Sequence, residues 1–374
     1  MASILITGGA GFIGKNFVRH WHAHHPDDRL VVLDALSYSG NLMGLEPVLA
    51  SPRCRFVHGD IGDTDLVSAL LAEEKIGRIV HFAAETHVDR SITGPDAFVE
   101  TNIVGTHSLL KAARQVWLED KAVDGPVRFH HVSTDEVYGT LDFADPAFRE
   151  DTPYAPNSPY AASKAASDHL VRAYHHTYGL PVVTTNCSNN YGPYQYPEKL
   201  IPLMILNALR GKALPVYGDG RNVRDWLHVE DHCRGLALVL DHGRDGACYN
   251  IGGEAECSNI DLVHLLCDLI DRAFAADPAL AGRFPDAPPA RGGRCRDLIG
   301  FVADRPGHDR RYAIDAGLVR SELGFAPRES FASGMAGTVA WYLDNQSWWQ
   351  AVIDGSYADW ITRQYGPSGA RGAL

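Results

Sequence analysis

An α/β fold built on a doubly wound parallel sheet is the architecture that the sequence predicts, on three observations. Short apolar runs alternate with helical patterns through the first half of the chain, as in proteins made of strand–helix–strand units. The apolar runs are nearly continuous, as expected for strands buried on both faces. The first run leads into a glycine-rich turn. We predict strands at residues 3–7, 29–34, 55–60, 78–84, 128–134 and 181–186, and helices at residues 14–25, 64–74, 97–118 and 159–178.

The order of elements becomes irregular after about residue 190. The stretch "NNYGPYQYPEKLIP" predicts a loop that leads into a helix at residues 199–210. Residues 274–297 are rich in Ala, Pro, Gly and Arg, a composition typical of a surface connection. The tail "GPSGARGAL", residues 366–374, is expected to be disordered.

Composition and charge argue against several classes of protein. The chain has 374 residues, 45% apolar and 21% charged, which is ordinary for a globular protein. Its net charge of −12 makes nucleic acid an improbable partner, because phosphates attract an excess of Lys and Arg. No apolar run is long enough to span a membrane. The first residues enter a strand without the basic region of a signal peptide.

The cysteines predict neither a metal site nor a disulfide framework. There are 7 of them, an odd number, with no Cys-x-x-Cys pair and no zinc spacing among His and Cys. Reduced thiols in a cytoplasmic protein are the expectation.

The turn after the first strand, "TGGAGFIG", predicts a dinucleotide site. Gly9-x-Gly11-x-x-Gly14 matches the dinucleotide fingerprint, and Gly8-x-x-Gly11-x-x-Gly14 matches its short-chain dehydrogenase variant. Glycines let the backbone approach a pyrophosphate at a helix N-terminus. Asp34 ends the second strand. A carboxylate there binds the ribose 2′-hydroxyl and repels a 2′-phosphate, so we expect NAD rather than NADP.

Further candidates follow the third and fourth strands. Asp60 and Ile61 close the third strand, and "AAETH", residues 83–87, closes the fourth. Ligands of open α/β sheets bind beyond the carboxyl ends of the strands. We therefore expect these residues to line the adenine and nicotinamide regions.

The segment "SPYAASK" places Tyr160 and Lys164 four residues apart, on one face of a helix. An ammonium beside a phenol favours the phenolate and should lower the pKa of Tyr160 toward neutrality. Such a tyrosine can take a proton from a sugar hydroxyl while NAD takes the hydride.

The strand end "HHVSTDEVYG" carries Thr134 and two adjacent acids, Asp135 and Glu136. Thr134 is expected to hydrogen-bond the substrate hydroxyl. A simple dehydrogenase or epimerase does not need the two acids. Once a sugar C4 is a ketone, however, the C5 proton is acidic, so one carboxylate can remove it while the other protonates the leaving C6 hydroxyl. Close carboxylates in a poorly solvated site separate into an acid and a base.

At these motifs the chain resembles the extended short-chain dehydrogenase/reductases, and among them the nucleotide-sugar 4,6-dehydratases. The likeness covers roughly residues 1–365 and includes "AAETHVDRSITGP", "TNCSNNYGPYQYPEKLIPL", "RDWLHVEDH" and "ADRPGHDRRYAID". It implies a Rossmann domain for NAD, mainly residues 1–190. It also implies a smaller C-terminal α/β substrate domain, mainly residues 191–365, with some segments returning to the Rossmann domain. It implies dTDP-glucose as substrate and a homodimer formed through a helix bundle.

The resemblance also implies roles for individual residues. Asp135 would be the general acid and Glu136 the base, and Tyr160 would be the redox base, supported by Lys164 and Thr134. Arg224 would clamp the diphosphate. The cofactor residues would be Gly8, Gly11, Phe12, Ile13, Gly14, Asp34, Asp60, Ile61, Ala83, Ala84, Thr101, Tyr160, Lys164 and Asn190. The substrate residues would be Thr86, His87, Thr134, Asn189, Lys199, Leu200, Pro215, Val216, Tyr217, Arg224, Asn259, Asp304 and His308.

Three alternatives stay open at this point. A UDP-sugar 4-epimerase or a decarboxylase on the same scaffold would not need Asp135 and Glu136. A UDP-glucose 4,6-dehydratase would use the same chemistry, and one methyl group on the base distinguishes thymine from uracil by only about 1–3 kcal/mol. A catalytically inactive NAD-binding sensor would not need Tyr160 and Lys164.

Overall fold

The computed structural model of the protein describes residues 3–355. The strands of this part of the chain are β1 (Ser3–Thr7), β2 (Arg29–Asp34), β3 (Cys54–His58), β4 (Ile76–His81), β5 (Arg128–Thr134), β6 (Val182–Cys187), β7 (Asn189–Tyr191), β8 (Leu214–Tyr217), β9 (Val223–His228), β10 (Cys248–Ile251), β11 (Glu256–Ser258) and β12 (Ile299–Val302).

The α-helices of the same part are α1 (Phe12–His24), α2 (Glu46–Leu49), α3 (Thr64–Glu73), α4 (Val88–Thr93), α5 (Asp96–Phe98), α6 (Thr106–Arg114), α7 (Pro159–Tyr178), α8 (Leu200–Leu209), α9 (Val229–His242), α10 (Asn259–Ala276), α11 (Leu280–Arg283), α12 (Gly317–Leu323), α13 (Phe331–Asp344) and α14 (Gln346–Ile353). The helix predicted at 97–118 is a continuous helical run in which two π-helical segments, Val99–Gly105 and Gln115–Glu119, flank α6. Short 3₁₀ turns lie at Asp135–Tyr138, Pro288–Arg291 and Cys295–Leu298.

The main sheet has seven parallel strands in the order β10-β6-β5-β4-β1-β2-β3. The chain runs outward from β1 to β2 and β3 and then returns to β4 on the other side of β1. A crevice opens beyond the carboxyl ends of the strands at such a reversal. The predicted doubly wound parallel sheet is confirmed.

Helices cover both faces of this sheet. Ile4 and Ile6 of β1 belong to a core that includes α1 and α9, whereas Leu5 belongs to a core with α3, α6 and α7. Successive side chains of a strand point to opposite faces. All of β1 is therefore buried, which explains its uninterrupted apolar sequence.

A second core is formed by residues from Tyr191 onward and contains residues of α8, α10, α13, α14 and β8. A three-stranded sheet, β11-β9-β7, and a two-stranded sheet, β12-β8, accompany it. This region is the predicted smaller α/β part. β10 departs from it and joins β6 at the edge of the main sheet. The boundary between residues 190 and 191 stays a prediction, and the tail at 366–374 lies outside the described residues.

Residues 274–297 are mostly exposed, as expected of a surface connection, but the stretch is more ordered than its composition suggests. The stretch continues α10 to Ala276 and then forms α11 and two 3₁₀ turns. Leu280, Phe284, Ala287 and Cys295 are at most 4% exposed and belong to the second core. These apolar residues are widely spaced among Pro, Gly and Arg. No helical or strand periodicity continues far enough for the sequence to predict that they are buried.

Within residues 3–355, the helices are all too short or too polar to cross a bilayer.

Candidate active site

One cleft runs along the carboxyl ends of the main-sheet strands, and most of the predicted site residues line it. They are Gly8, Gly11, Phe12, Ile13, Gly14, Asp34, Asp60, Ile61, Ala83, Ala84, Thr86, Thr101, Thr134, Asp135, Glu136, Tyr160, Lys164, Asn189, Asn190 and Lys199. Residues from both halves of the sequence thus meet at the place where the strand order reverses.

The glycine turn between β1 and α1 has no room for side chains. Gly8 has φ +68°, and a Cβ on it would lie 2.5 Å from the backbone nitrogen of Ala83. A Cβ on Gly14 would lie 2.2 Å from the carbonyl oxygen of Gly8. The N-cap of α1, Gly11, offers no side-chain cap. The first N–H groups of this 13-residue helix therefore face a position suited to an anionic pyrophosphate.

Asp34 lies at the end of β2, beside this turn. Its Oδ2 accepts a hydrogen bond from the Ala10 backbone N–H at 2.8 Å, and its Oδ1 accepts one from that of Leu36 at 2.8 Å. Burial raises the pKa of Asp34, and these two backbone donors oppose that rise. A fixed carboxylate beside a glycine cradle suits ribose hydroxyls and repels a phosphate. The residues present therefore fit NAD.

Tyr160 and Lys164 lie one turn apart on α7, and both are buried. Ser158 caps the N-terminus of this helix, because its hydroxyl accepts a hydrogen bond from the Ala161 backbone N–H at 3.0 Å. The Lys164 ammonium donates to the carbonyl oxygen of Val132 at 2.9 Å. The lysine therefore joins α7 to the end of β5, where Thr134 begins the acidic pair.

The pKa of Tyr160 differs from the sequence prediction. Burial, and then the nearby Glu136 carboxylate, raise the pKa of Tyr160 well above its usual range, and a hydrogen bond to Thr134 opposes them. The expected lowering by Lys164 is not found, because carboxylates face the phenol and the ammonium points to Val132. A phenolate needs additional positive charge in this cleft.

Asp135 follows β5 directly, and Thr134 caps the 3₁₀ turn that it begins. It is 1% exposed. Its Oδ1 accepts from the Thr134 hydroxyl at 3.4 Å, whereas its Oδ2 has no hydrogen-bond partner among the described residues. Burial, and then Glu136, raise the pKa of Asp135 well above its usual value. The neutral acid is therefore its favoured form.

Glu136 has different electrostatic surroundings. Burial raises its pKa too, but three cations oppose the rise: Arg305, Arg224 and Lys199, in order of size. For Asp135, the carboxylates of Glu136 and Asp225 are stronger influences than Arg224, whereas for Glu136 the Asp309 carboxylate is a weaker influence than the three cations. The pKa values of both carboxyls are thus raised, that of Asp135 more strongly. Such a difference separates two carboxyls into an acid and a base.

The remaining predicted substrate residues do not line the cleft. Arg224 is 5% exposed and donates to the carbonyl oxygens of Val223 at 2.7 Å and Asp309 at 2.9 Å. Its guanidinium lies 4.1 Å from the ring centroid of Tyr312. The whole group consists of His87, Leu200, Pro215, Val216, Tyr217, Arg224, Asn259, Asp304 and His308.

Three of these residues have notable partners. Nδ1 of His308 lies 2.6 Å from Oδ1 of Asp304, and the Tyr217 hydroxyl donates to Oδ2 of Asp89 at 3.4 Å. Oδ1 of Asn259 is buried without a hydrogen-bond partner among the described residues. An unpartnered buried acceptor is a place where a ligand donor can bind.

Sequence reasoning missed several residues of the cleft wall. The missed residues after β2 could have been predicted, because ligands bind beyond the carboxyl ends of strands. Those around 195–198 lie in a loop that carries no such signal. The missed residues include Ser37, Ser39, Gly40, Ser133, Cys187, Ser188, Gln195, Tyr196 and Glu198.

A glycine turn below a cofactor cleft, facing a Tyr–Lys pair on α7, is the arrangement of the extended short-chain dehydrogenase/reductases. The comparisons with known proteins narrow this class. The model of the family described as GDP-mannose 4,6 dehydratase matches residues 5–338, and the chain belongs to this family.

The curated relatives support the narrower resemblance. A dTDP-glucose 4,6-dehydratase of Xanthomonas campestris pv. campestris (strain B100) is 56% identical over 360 residues, which cover 96% of this chain and 97% of the relative. Another, from Shigella flexneri, is 53% identical over 372 residues, with 97% and 98% covered. The resemblance predicted from the motifs is confirmed.

Solved structures agree. The dTDP-glucose 4,6-dehydratase DesIV of Streptomyces venezuelae, solved with NAD and TYD bound, has a TM-score of 0.83 at 50% identity and covers 94% of this chain and 99% of its own. The dTDP-glucose 4,6-dehydratase of Bacillus anthracis str. Ames, solved with NAD, has a TM-score of 0.80 at 43% identity, with 94% and 100% covered. A UDP-glucuronic acid 4-epimerase of Bacillus cereus is 25% identical with a TM-score of 0.78, with 92% and 99% covered. The scaffold is thus shared with epimerases, while the higher identities belong to dehydratases.

Proposed function

We propose that the protein is an NAD-dependent hydro-lyase that converts dTDP-glucose to dTDP-4-keto-6-deoxyglucose and water. The observation that carries the proposal is the contrast between Asp135 and Glu136, which lie in one cleft with Tyr160 but differ in the balance of cations and carboxylates around them. Neither a dehydrogenase nor an epimerase has use for such a pair. The dehydratases among its relatives support the same reaction.

The first step oxidises the sugar at C4. The Tyr160 oxygen accepts the proton of the C4 hydroxyl, and the Thr134 hydroxyl, which is hydrogen bonded to that phenol, orients it. Bound NAD supplies the hydride acceptor at C4, the hydride donor at C6 and, when oxidised, a positive charge beside the phenol. Lys164 contributes a second positive charge one helical turn away.

The elimination step follows from the acidity of the carbon next to the new ketone. Glu136 accepts the C5 proton, because its three neighbouring cations favour the carboxylate. Asp135 donates its proton to the C6 hydroxyl, which leaves as water. The C5–C6 alkene that forms then accepts at C6 the hydride that left C4, and Glu136 returns a proton to C5.

Turnover on dTDP-, UDP-, CDP- and GDP-glucose tests the substrate and the reaction together. We expect the dTDP sugar to be preferred, with no net accumulation of NADH, because the hydride that leaves C4 returns at C6. Deuterium at C4 of the substrate should appear at C6, and solvent deuterium should appear at C5. An epimerase would return the C4 label to C4 and leave C5 unlabelled, and an inactive sensor would turn over none of the four sugars.

We further infer that the enzyme is a homodimer joined through the helical run at 96–119 and α7. Three apolar side chains on these helices support the inference: Val99 is 45% exposed, Val104 is 47% exposed and Tyr178 is 44% exposed. Burial of such groups against a second copy would remove them from water. Sedimentation should give twice the chain mass of 40.9 kDa, and a mass equal to one chain would contradict the inference.

We place the enzyme in the cytoplasm, with no nucleic acid or membrane as partner. The free thiols of all seven cysteines support a reducing compartment. The acidic net charge of −12 supports the absence of a nucleic-acid partner. Cell fractionation tests the location.

A further inference from the structure

A buried polar cluster lies next to the catalytic groups, and the reaction scheme above does not use it. Its centre is the Asp168 carboxylate of α7, which is 5% exposed. Oδ2 of Asp168 accepts hydrogen bonds from the Ser133 hydroxyl at 2.9 Å and from the Tyr154 hydroxyl at 2.9 Å. Oδ1 lies 3.0 Å from Nε2 of His131. Three chain segments therefore converge on one carboxylate.

Asp168 follows Lys164 by four residues, so both side chains lie on one face of α7. Lys164 is 4% exposed and hydrogen bonds to the neutral carbonyl of Val132. An ammonium buried among neutral groups is costly unless a counter-charge is near. Burial lowers the pKa of Lys164, and Asp168 is the largest influence that raises it, ahead of Cys187. Asp168 is thus the anion that favours the charged form of Lys164.

The groups around Asp168 allow it to carry that charge. Burial raises the pKa of Asp168 only to about 6, because Lys164, Ser133 and Tyr154 oppose the rise. On β5, the pKa of His131 lies well below 6.5 because of burial, so the ring is neutral and donates Nε2–H. Asp168 is therefore ionised at neutral pH.

The other titratable neighbours are neutral or assist. His169 of α7 also lowers the pKa of Asp168. Burial raises the pKa of the Cys248 thiol on β10 and that of the Tyr138 phenol, and Asp168 itself adds to both rises. The raised pKa values keep both groups uncharged, so neither adds a second anion to the cluster.

The same carboxylate also fixes the strand that carries the acidic pair. Ser133 and His131, on one face of β5, both hydrogen bond to Asp168. Between them, the Val132 carbonyl oxygen accepts a hydrogen bond from the Lys164 ammonium. The next residue after Ser133 is Thr134, which caps the turn with Asp135 and Glu136. Asp168 and Lys164 thereby hold β5 to α7 immediately before the reacting groups.

We propose that Asp168 is a positioning residue that keeps Lys164 protonated and aligns the end of β5 with α7, without contacting substrate or cofactor. The proposal rests on the proposed function, since Lys164 matters through the oxidation at C4.

The test is the pH dependence of the first step in Asp168→Asn, an isosteric change that removes only the charge. The readout is the single-turnover rate of NADH formation with dTDP-glucose. A nearby opposite charge shifts a pKa by about 1–3 units. The alkaline limb of the pH–rate profile, where activity falls as pH rises, should therefore move to lower pH by about that amount in Asp168→Asn. The reason is that Lys164 loses its proton at a lower pH without the carboxylate.

Tyr154→Phe is the matched control. It removes one hydrogen bond to the same carboxylate but leaves the charge, so its alkaline limb should stay in place. An Asn variant that melts earlier or works more slowly, with an unmoved alkaline limb, would show a merely structural role and overturn the proposal.

Two further measurements allow the proposal to be tested even if Asp168→Asn does not fold or the enzyme is inactive. If Asp168→Asn does not fold, Asp168→Glu restores the charge with changed geometry, and it should keep the parental limb at a reduced rate; a shifted limb there would contradict the proposal. Nitrogen-15 NMR of the Lys164 ammonium, assigned with Lys164→Met, reports its protonation without any substrate. A parent enzyme inactive on all four sugars would refute the proposed function, while an unchanged ammonium pKa in Asp168→Asn would refute the role of Asp168.

Discussion

The cofactor end and the catalytic end of the cleft are built from different groups. The cofactor end consists of backbone amides, crowded glycines and Asp34, whose two oxygens are already held by backbone N–H groups. The catalytic end packs Asp135, Tyr160 and Lys164 out of water, and Asp135 keeps an unpartnered oxygen. A rigid backbone cradle binds without reacting, whereas buried titratable groups hold protons at altered energies. Damage at the first end should change affinity, and damage at the second should change the rate of one step.

The largest effect should come from Tyr160→Phe. Loss of a general base costs about 10²–10⁴-fold in rate, and here it should abolish NADH formation in a single turnover. Substrate affinity should persist, because the ring that packs against Phe98 remains. Near-normal NADH formation in this variant would mean that another group takes the C4 hydroxyl proton.

The two adjacent acids should fail at a later stage and in different ways. Glu136→Gln should still form NADH but should lose the exchange of C5 hydrogen with solvent. Asp135→Asn should also form NADH and keep that exchange, but it should eliminate water slowly, by about 10²-fold, because an amide is a poor proton donor. Deuterium exchange and rapid-quench product analysis separate the variants, and a Glu136→Gln enzyme that exchanges C5 at the parental rate contradicts the assignment.

At the cofactor end, Gly14→Ala should weaken NAD binding while leaving the catalytic steps intact. The new methyl would meet the Gly8 carbonyl oxygen at 2.2 Å, and overpacking of about 1–3 kcal/mol corresponds to about 5- to 150-fold in affinity. Gly337→Ala is the control, since a Cβ there has no neighbour within 4 Å. NAD titration by calorimetry measures both. A Gly14→Ala enzyme with unchanged NAD affinity, or one whose rate falls at saturating NAD, would contradict the contrast between the cofactor end and the catalytic end.

The smallest effect should come from Arg224→Ala. Loss of a charge-assisted hydrogen bond to the substrate should raise KM by about 10-fold, and kcat should change less. The exposed Arg221 nearby serves as the control in Arg221→Ala. Because Arg224 also donates to Val223 and Asp309, melting temperature is recorded with the kinetics. An unchanged KM would remove Arg224 from the substrate site.

Local patterns were enough to predict which residues at strand ends line the cleft. Gly8, Asp34, Asp60, Ala83 and Thr134 each stand directly after or at the end of a predicted strand, and a parallel sheet brings such ends to one edge. The Tyr160–Lys164 pair followed from helical spacing. The Arg224 and Asn259 assignments came from resemblance, and their roles toward substrate stay predictions.

What the sequence did not reveal depends on contacts between distant segments. The bond from Lys164 to Val132 and the carboxylates around Tyr160 reverse the expected pKa shift, although the spacing of Tyr160 and Lys164 is as predicted. The loop that contributes Tyr196 to the cleft has no periodicity from which its position could be read. Ser133, one residue before Thr134, looks like an ordinary strand residue until Asp168 is placed beneath it.

The late position of β10 in the chain imposes an order on biosynthesis. β6 is complete at Cys187, but its partner begins only at Cys248. While the ribosome adds the intervening residues, one side of β6 is an open edge, and open edges are templates for pairing with other chains. A fragment that stops at residue 190 would keep that edge permanently. The main sheet is therefore completed by a segment from the second half of the chain, and its seventh strand is in place only once Ile251 has been made.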